Sequence, residues 1–446
     1  MTDFLFERLA AGGDSQGVVH GDEITTHREL YSLTEQFREA LAGKIPRGAV
    51  VSFNGDYSSD AIALFLALFR LGSIIVPLSS DSRAHFDEYR NIAEVELEVR
   101  IQDGVPSVTP SGRRAKASLY KKLRESETAG LVLFSSGSTG KSKGIVQNLD
   151  RLLAKFEKPA KAQRMLIFLQ LDHIGGINSL LYSLANAGTL ITPLSRSPDT
   201  VAEAIEKHKV ELLPTSPTFL NLLILSGAID RHDLSSLKLV TYGTEPMQAS
   251  TLERLRSILP LVRLQQTYGL SEVGILRSRS KSSDSLWMQV GGDEFETKIK
   301  NRTLWIKSHS AMLGYLNAPD PFDEDGFLDT GDIVEVDGEW LRILGRDSEI
   351  INVGGQKVYP AEVESILLEL DGVDDVVVFG EANPITGTVV AAKFKTSGRE
   401  SARELKARML AHCRDQLPRY KIPVKVITTT EATYNERFKR MRRQEV

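Results

Sequence analysis

Short apolar runs alternate with amphipathic segments along most of the chain. Leu30, Phe37 and Leu41 recur at the spacing of one helix face, which predicts an amphipathic helix. Thr26 precedes them and Glu29 follows Thr26 by three residues, and this pair is the pattern of a capping box. Further helices are predicted at residues 61–71, 177–186, 200–208, 217–225 and 249–258. Strands are predicted from the apolar runs at residues 49–53, 74–76, 131–134, 165–169, 190–192, 211–213, 239–242 and 263–266.

The order of these elements indicates an α/β fold. Strands that alternate with helices of this length favour mainly parallel sheets covered by helices. Residues 287–343 change to short apolar–polar alternations between Gly and Asp, which predicts a small antiparallel subdomain. Residues 103–128 are polar and basic, and we predict a surface connection there.

The C-terminal part has a pattern of its own. Pro360 opens a predicted helix that ends before Gly372, because proline suits the first helical turn. Strands are predicted at residues 376–379 and 389–394, and a helix at residues 402–413. A polar break at residues 345–348 separates this part from the rest. We therefore predict a large N-terminal domain, residues 1–346, and a small α+β C-terminal domain, residues 347–446.

Length and composition narrow the class of protein. A chain of 446 residues is too long for one ordinary core. Its charged fraction of 26% is that of a globular protein in water, and its net charge of −4 gives no reason to expect nucleic acid. Cys413 is the only cysteine, which excludes a disulfide framework.

The cellular location is predicted from the apolar segments. The N-terminus carries acids and has no long apolar run, so we expect no secretory signal. The most apolar segment, residues 61–78, is interrupted by Arg70 and Gly72 and is too short to span a bilayer. We expect a cytoplasmic protein without a membrane span.

Residues 131–144, LVLFSSGSTGKSKG, combine a short apolar strand with a loop of small residues. Glycines let the backbone turn tightly and approach an anion closely. Hydroxyls and exposed N–H groups donate to phosphate oxygens, and a lysine adds a positive charge. We interpret the stretch as a phosphate-binding loop, whose candidate contacts are Ser135, Ser136, Gly137, Ser138, Thr139, Gly140 and Lys143.

The kind of phosphate loop depends on the spacing. Gly140, Lys141 and Ser142 supply the end of a Walker A loop, but Ser135 stands where its first glycine belongs. A flexible connection rich in serine and glycine is equally compatible with the composition. The stretch resembles most closely the loop of the adenylate-forming superfamily, Ser/Thr-Ser-Gly-Ser/Thr-Thr-Gly-x-Pro-Lys-Gly, which contains the acyl-CoA synthetases. Ser142 stands in the place of the proline of that motif.

A second motif occupies residues 268–272, after a predicted strand. Tyr268 offers a flat face for stacking, and the carboxylate of Glu272 can hold Mg²⁺, although the same run could be a simple turn. It resembles the superfamily motif Tyr-Gly-x-Ser/Thr-Glu, which also includes Gly269 and Ser271. The resemblance implies that Tyr268 packs on adenine and that Glu272 helps to place the metal, with Thr139 as the second residue near it.

Asp332 and Arg346 form a third match. From the residues alone, Asp332 could belong to a turn and Arg346 could be a surface charge. They resemble the aspartate of the superfamily's Thr-Gly-Asp motif and the arginine of its Gly-Arg motif, and the resemblance implies that both bind the ribose hydroxyls. Asp347 and Ser348, which follow, then correspond to the hinge between the two domains.

Three shorter matches complete the resemblance. Residues 352–364, which include Gly355, predict a glycine turn, a strand and a helix, and they resemble the strand that lines the thiol tunnel of acyl-CoA synthetases after the mobile C-terminal domain has turned. His173 resembles the His-x-x-Gly gate of the same enzymes, although a lone histidine is often structural. Gly243, Thr244 and Glu245 resemble the Gly-x-Glu-Pro segment beside the adenine and the acyl pocket.

Near its C-terminus the chain departs from the superfamily. The motif there contains a lysine that bridges the substrate carboxylate and the α-phosphate, and Arg437 stands in its place, with Glu436 in the place of a glycine. A guanidinium is planar and forked whereas an ammonium is compact, yet either neutralises developing negative charge. We predict that Arg437 serves in this role. Lys439, or a basic tail with no catalytic residue, are the alternatives.

Taken together, the resemblance implies an enzyme that uses ATP and Mg²⁺ to convert a carboxylic acid into an acyl-adenylate. A thiol then displaces AMP. Coenzyme A is the favoured thiol, and the pantetheine of a separate acyl-carrier protein is the alternative. The predicted catalytic residues are Lys143, His173, Glu272 and Arg437. Two other classes stay open, namely a non-catalytic protein that binds nucleotide or acyl-adenylate and a P-loop phosphotransferase.

Overall fold

The structure, a computed structural model, describes residues 3–136, 141–292, 294–383, 387–396, 400–435, 438 and 440–442. The α-helices are α1 (Asp3–Ala11), α2 (His27–Leu41), α3 (Ser59–Arg70), α4 (Phe86–Ile92), α5 (Ser118–Glu125), α6 (Leu149–Ala154), α7 (Ile174–Ala185), α8 (Pro198–His208), α9 (Pro217–Leu225), α10 (Ala228–Arg231), α11 (Ala249–Ile258), α12 (Pro360–Leu367) and α13 (Ala402–Cys413).

The strands follow the same chain order. They are β1 (Gln16–His20), β2 (Glu23–Thr26), β3 (Val50–Asn54), β4 (Ile74–Leu78), β5 (Leu97–Gln102), β6 (Val105–Pro110), β7 (Gly130–Ser136), β8 (Ser142–Asn148), β9 (Arg164–Leu166), β10 (Thr189–Thr192), β11 (Leu212–Thr215), β12 (Leu239–Tyr242), β13 (Arg263–Gln266), β14 (Tyr268–Leu270), β15 (Gly274–Leu276), β16 (Ser278–Ser280), β17 (Met288–Val290), β18 (Phe295–Lys300), β19 (Thr303–Ser308), β20 (Gly314–Tyr315), β21 (Leu328–Asp337), β22 (Trp340–Arg346), β23 (Ile351–Val353), β24 (Gln356–Val358), β25 (Val373–Asn383), β26 (Gly387–Thr396) and β27 (Lys425–Thr429).

Two seven-stranded sheets carry the N-terminal part. In the order β13-β12-β11-β9-β10-β1-β2, every neighbouring pair is parallel except the edge pair β1–β2. The second sheet has the order β20-β8-β7-β4-β3-β5-β6 and a parallel centre. One apolar core joins the two sheets and contains α3, whose residues 61–69 are all buried. The predicted α/β class with helix-covered parallel sheets is therefore confirmed.

A six-stranded antiparallel sheet follows in the chain. Its order is β16-β17-β22-β21-β19-β18. This agrees with the antiparallel subdomain predicted from short alternations with glycine and aspartate between them. The sheet begins at Ser278 and ends at Arg346, slightly beyond the predicted span of residues 287–343.

The prediction of a plain surface connection at residues 103–128 is wrong. Strand β6 pairs antiparallel with β5, and α5 follows. Tyr120 and Leu123 are buried on one face of α5, and the Tyr120 hydroxyl donates to the carbonyl of Ala93 at 2.7 Å. Two buried positions three residues apart suffice to hold this short helix against the sheet. The lysines and arginines around them make the segment look polar in the sequence, so its apolar face was not recognised.

The C-terminal part has its own core, formed by residues between Ile351 and Leu417. Its last described segment is anchored by a buried carboxylate, because Glu364 accepts hydrogen bonds from Arg440 at 3.0 Å and Arg442 at 2.8 Å. Burial alone would raise the pKa of Glu364, but the two guanidinium charges hold it below its usual range. Arg442 also binds Glu349 at 2.8 Å, which ties the segment to the turn that follows β22.

Local signals in the sequence determine several element ends. Thr26 accepts a hydrogen bond from the Glu29 amide at 3.1 Å, and the Glu29 carboxylate accepts one from the Thr26 amide at 2.8 Å. The predicted capping box is therefore present at the start of α2.

Among the helices of the described ranges, none has both the length and the apolar character that a bilayer crossing requires.

Candidate active site

A cavity of about 870 Å³ opens where the carboxyl ends of β11, β12 and β13 meet α7 and the antiparallel sheet. Ligands of parallel α/β sheets bind at this edge, and the volume suits a substrate-sized molecule. Nine of the residues predicted from the sequence line it, namely Ser135, Lys143, His173, Gly243, Thr244, Gly269, Ser271, Glu272 and Arg346.

The β7–β8 hairpin frames the predicted phosphate loop. Ser135 pairs with Lys143, and the Ser136 backbone pairs with Ser142. Asn317 clamps the returning strand, because its side-chain amide donates to the Ser142 carbonyl at 2.8 Å and accepts from the Gly144 amide at 3.0 Å. The other predicted contacts of this loop lie outside the described residues; they are Gly137, Ser138, Thr139 and Gly140.

Glu272 and Lys143 meet at Tyr315. The Tyr315 hydroxyl donates to the Glu272 carboxylate at 2.7 Å, and the Lys143 ammonium lies 5.0 Å from the centroid of the Tyr315 ring. Burial raises the pKa of Tyr315, and the Glu272 charge adds to this effect. Tyr315 therefore stays protonated and fixes one oxygen of the carboxylate, and Glu272 also lines the cavity.

Asp332 and Arg346 form an ion pair beside the same wall, with 3.3 Å between Arg346 Nε and Asp332 Oδ1. The buried Tyr268 hydroxyl donates to the other oxygen of Asp332. Burial raises the pKa of Asp332, and the Arg346 charge opposes that shift. Tyr268 and Asp332 are each 6% exposed and do not line the cavity, so Arg346 is the one of the three residues that reaches it.

The turn after β12 contains Gly243, Thr244 and Glu245. A Cβ on Gly243 would lie 2.7 Å from Thr267 Oγ1 and 2.8 Å from the Thr267 carbonyl, which explains the glycine. Thr244 has a positive φ of 76° and lines the cavity. Glu245 does not line it; its carboxylate accepts from the Thr218 amide at 2.9 Å and from the Arg440 amide at 3.4 Å. It therefore holds the start of α9 and contacts the C-terminal part.

His173 caps the N-terminus of α7, where its Nδ1 accepts from the Gly175 amide at 3.0 Å. The helix consequently begins at Ile174 rather than at the predicted residue 177. A Cβ on Gly176 would lie 2.0 Å from the Gln170 carbonyl oxygen, so only glycine fits there. This turn holds the imidazole at the cavity wall, while Asn178, Ser179, Tyr182 and Asn186 of the following helix line the cavity further along.

The remaining predicted residues belong to the C-terminal part. Asp347 and Ser348 begin the 3-10 turn Asp347–Glu349 directly after β22. Gly355 lies in the exposed turn between β23 and β24, with φ of 86°, and does not line the cavity. Arg437 and its alternative Lys439 lie outside the described residues.

Phe438, which the sequence did not single out, joins the two parts of the molecule. Its ring packs against Phe168 at 5.0 Å and Phe219 at 5.4 Å between centroids. Its carbonyl accepts a hydrogen bond from Ser216 at 3.2 Å. Its positive φ of 53° is uncommon for a bulky residue, so the contacts with the N-terminal part hold Phe438 itself in a strained backbone conformation.

The sequence pattern did not mark four residues of the site, namely Tyr315, Asn317, Phe438 and Lys155. Each stands in a run without a recognisable spacing pattern, because the partner lies far away in the chain: Tyr315 binds Glu272 across 43 positions and Asn317 binds Gly144 across 173. A Gly-Tyr-Leu-Asn run between two apolar segments was the available signal, and it is too short to be specific.

A metal would have few protein ligands at this site. Within the described ranges, no group of three or more His, Cys, Asp or Glu side chains is arranged to hold an ion. Glu272 is a carboxylate that lines the cavity, and its hydrogen-bond partner Tyr315 also contacts Lys143. This donor set suits Mg²⁺, which commonly takes one or two carboxylates together with substrate phosphates and water.

Comparison with known proteins gives consistent matches. A family model described as AMP-binding enzyme matches residues 93–316, and one described as AMP-binding enzyme C-terminal domain matches residues 362–438. Acyl-CoA synthetase 7 of Caenorhabditis elegans is 32% identical over 323 residues, which is 65% of this chain and 59% of that protein. The chain thus aligns with less than two thirds of the length of that relative.

Other matches extend over almost the whole chain. The 2-succinylbenzoate–CoA ligase of Bacillus subtilis is 25% identical over 483 aligned positions, covering 99% of this chain and 97% of that protein. The solved structure of o-succinylbenzoate CoA synthetase from Bacillus subtilis, in complex with its acyl-adenylate intermediate, has a TM-score of 0.78 at 22% identity and covers 98% of this chain and 96% of that one. At this identity the structural match establishes the fold.

Proposed function

The chain belongs to the family of AMP-binding enzymes, and from this premise we propose that it activates a carboxylic acid with ATP and transfers the acyl group to a thiol. The observation that carries the proposal is that one cavity is lined by Lys143, Glu272 and Arg346 at one end and by α7 at the other. We call these the nucleotide end and the acyl end; Asn178 and Tyr182 belong to the acyl end.

The first half-reaction takes place between the two ends. A carboxylate oxygen of the acid attacks the α-phosphorus of ATP, the bond to the bridging oxygen of the β-phosphate breaks, and pyrophosphate leaves. Lys143 and the amides of the phosphate loop neutralise charge on the leaving group. Asp332 and Arg346 bind the ribose hydroxyls, and His173 borders the reacting carboxylate.

Mg²⁺ would be held by Glu272, with Thr139 as the second candidate. The ion would neutralise charge on the phosphates. Tyr315 contributes by donating a hydrogen bond to one oxygen of Glu272 at 2.7 Å. This bond fixes the orientation of the carboxylate and therefore the direction of its other oxygen. A water-excluding cavity strengthens these charge interactions relative to bulk solvent.

The C-terminal part supplies Arg437 in the first step and then turns about Asp347 and Ser348. Support comes from the contacts of Phe438, the next residue in the chain, with Phe168 and Phe219. In the second half-reaction a thiolate attacks the acyl carbon, the bond to the AMP oxygen breaks, and the thiol proton passes to solvent. Gly355 enters the site in this second arrangement.

Coenzyme A is the proposed thiol, because the matched relatives are named as coenzyme A ligases. The pantetheine of a separate carrier protein is the alternative acceptor. The relatives' names span indoleacetate, coumarate and succinylbenzoate, so family membership alone leaves the acid undetermined. A cytoplasmic location stays a prediction from the sequence.

Exchange of labelled pyrophosphate into ATP tests the proposal directly. The full chain, supplied with Mg²⁺ and a panel of carboxylic acids, is expected to give acid-dependent exchange and to form AMP. Formation of ADP would instead favour a phosphotransferase. Absence of exchange with every acid, combined with tight binding of an acyl-adenylate mimic, would favour the non-catalytic binding protein that the Arg437 replacement keeps open.

A further inference from the structure

The acyl end contains a cation that the proposed reaction does not use. Lys155, directly after α6, lines the cavity, and its ammonium donates to the Asn178 side chain on α7 and to the Ile275 carbonyl at 3.0 Å. The Phe156 ring centroid lies 5.0 Å from the same nitrogen. An ammonium has three N–H donors. Described residues accept two of them, and the third is the one that a ligand would use.

The surroundings of Lys155 are short of negative charge. Among the described residues that line the cavity, the carboxylates are Glu272 and Asp329, and neither forms an ion pair with Lys155, while Lys158 and Arg277 are further cations that line the cavity. The charge of Glu294 raises the pKa of Lys155 from a distance, but the described part of the chain contains no ion pair between these two residues.

The cost of holding this charge points to a ligand. Burial lowers the pKa of Lys155 to about 8, because a charge removed from water without an opposite partner is unfavourable. An anionic oxygen on the substrate would supply that partner. An anion that accepts the third N–H would also complete the ammonium's hydrogen bonds.

The helix sets the distance at which such an anion would lie. His173 caps α7, and Asn178, which binds Lys155, follows five residues later. With a rise of about 1.5 Å per residue, the Lys155 partner is about 7.5 Å further along the helix axis than His173. The reacting carboxylate at His173 and a second anion at Lys155 would thus stand several bonds apart in one molecule.

We propose that Lys155 makes the enzyme select acids that carry a second carboxylate at the far end from the reacting one. This inference deepens the proposed function and rests on it. Lys155 is then a specificity-determining residue, and the acyl end accepts the distal carboxylate through its ammonium while Asn178 and Ile275 hold that ammonium in place.

Paired acids test the selection. Pyrophosphate exchange is measured with adipate against hexanoate and with para-carboxycinnamate against cinnamate. The wild-type enzyme is expected to favour the diacid in each pair. Lys155→Met should lower kcat/KM for the diacids by about 10- to 100-fold, the range for loss of a hydrogen bond to a charged group, and leave the monoacids within about 3-fold. Lys161→Met, an exposed lysine six positions away, is the matched control and should change neither.

A structural role of Lys155 gives a different pattern. If the lysine only tethers α7 to β15, Lys155→Met lowers the activity with monoacids and diacids alike, and the inference is overturned. Equal use of monoacid and diacid by the wild-type enzyme overturns it as well. Lys155→Arg, which keeps the charge, is expected to retain part of the preference for diacids.

A binding measurement separates this inference from the proposed function. Acyl-sulfamoyl adenosine mimics of adipate and hexanoate are titrated into the full chain by calorimetry. Tighter binding of the adipate mimic, abolished by Lys155→Met, supports the inference even without any exchange, in which case only the proposed catalysis fails. Equal binding of both mimics overturns the inference whether or not exchange is observed.

Discussion

At the nucleotide end of the cavity the polar side chains bind one another, whereas at the acyl end the cations have no acidic partner in the described part of the chain. Tyr268, Asp332 and Arg346 form one bonded series, and Tyr315 binds Glu272. Among the described residues, the acceptors of Lys155 are an amide oxygen and a backbone carbonyl. The first arrangement is complete before a ligand binds. The second leaves a charge for the ligand to match.

This difference separates the substitutions that should affect the reaction of every acid from those that should affect the reaction of only some acids. In the proposed reaction, a preorganised group at the nucleotide end would act on ATP, which is used with every acid, so its loss should lower every rate alike. A group at the acyl end contacts only part of the acid, so its loss should distinguish acids that have the matching chemistry from those that lack it.

Glu272→Gln is expected to give the largest effect. The amide keeps the size of the side chain but loses the charge that would hold Mg²⁺, and exchange should fall by about 100-fold, as for loss of one preorganised electrostatic group. The fall should be equal for hexanoate and adipate. Glu253→Gln on the exposed face of α11 is the control. If exchange fell by different factors with hexanoate and adipate, the division of the cavity into a nucleotide end and an acyl end would be contradicted.

Phe438→Ala should lower exchange by about 10-fold, because it removes the two aromatic contacts with the N-terminal part, each worth about 1 kcal/mol beyond burial. The reaction of a preformed acyl-adenylate with coenzyme A should persist, since this docked arrangement serves the first half-reaction. Phe438→Leu should recover most of the exchange. Equal loss of both half-reactions would contradict a role in docking.

Tyr268→Phe tests whether the bonded series at the nucleotide end acts on ATP. The variant leaves an oxygen of buried Asp332 without its donor, which costs about 1–3 kcal/mol. We expect a lower melting temperature and a KM for ATP raised by a few-fold, with hexanoate and adipate affected alike. Tyr120→Phe removes a buried hydroxyl that is bonded to the Ala93 carbonyl, and Tyr120 does not line the cavity; the variant should lower the melting temperature but not change the KM for ATP.

The pH dependence of substrate preference is the smallest expected effect. Lys155 is charged below its pKa of about 8 and loses its charge as the pH rises above it. The ratio of kcat/KM for adipate to that for hexanoate, which reports the free enzyme, should therefore fall between pH 7 and pH 9 by about 3- to 10-fold. The groups that act on this lysine are Glu294, which raises its pKa, and Arg277, which lowers it. In Lys155→Met the ratio should not vary with pH.

Much of the fold was accessible from the sequence because its signals are local. The capping box at Thr26, the proline at the start of α9 and the alternation of strands and helices each depend on residues close together in the chain. The predicted family and fold class are confirmed. The prediction for residues 103–128 failed because Tyr120 is buried by contact with Ala93, 27 positions away, while its neighbours in the chain are charged.

For the site residues the sequence supplied the candidates but not their partners. Lys143, Glu272 and Arg346 line one cavity. Glu245, which resembled an adenine neighbour, is instead engaged by Thr218 and Arg440. Their roles in catalysis stay predictions, and so does that of Arg437.

The sequence alone was enough to predict the capping box that starts α2, the strand that leads into the phosphate loop and the family, because each follows from a pattern within a few residues of the chain. Tertiary structure decided which charges are paired. Lys155 meets the Ile275 carbonyl across 120 positions, and Glu272 receives its hydrogen bond from Tyr315 across 43. The physical reason is that the free energy of a charge depends on its distance from water and from opposite charges, and folding fixes those distances between segments that are remote in the chain.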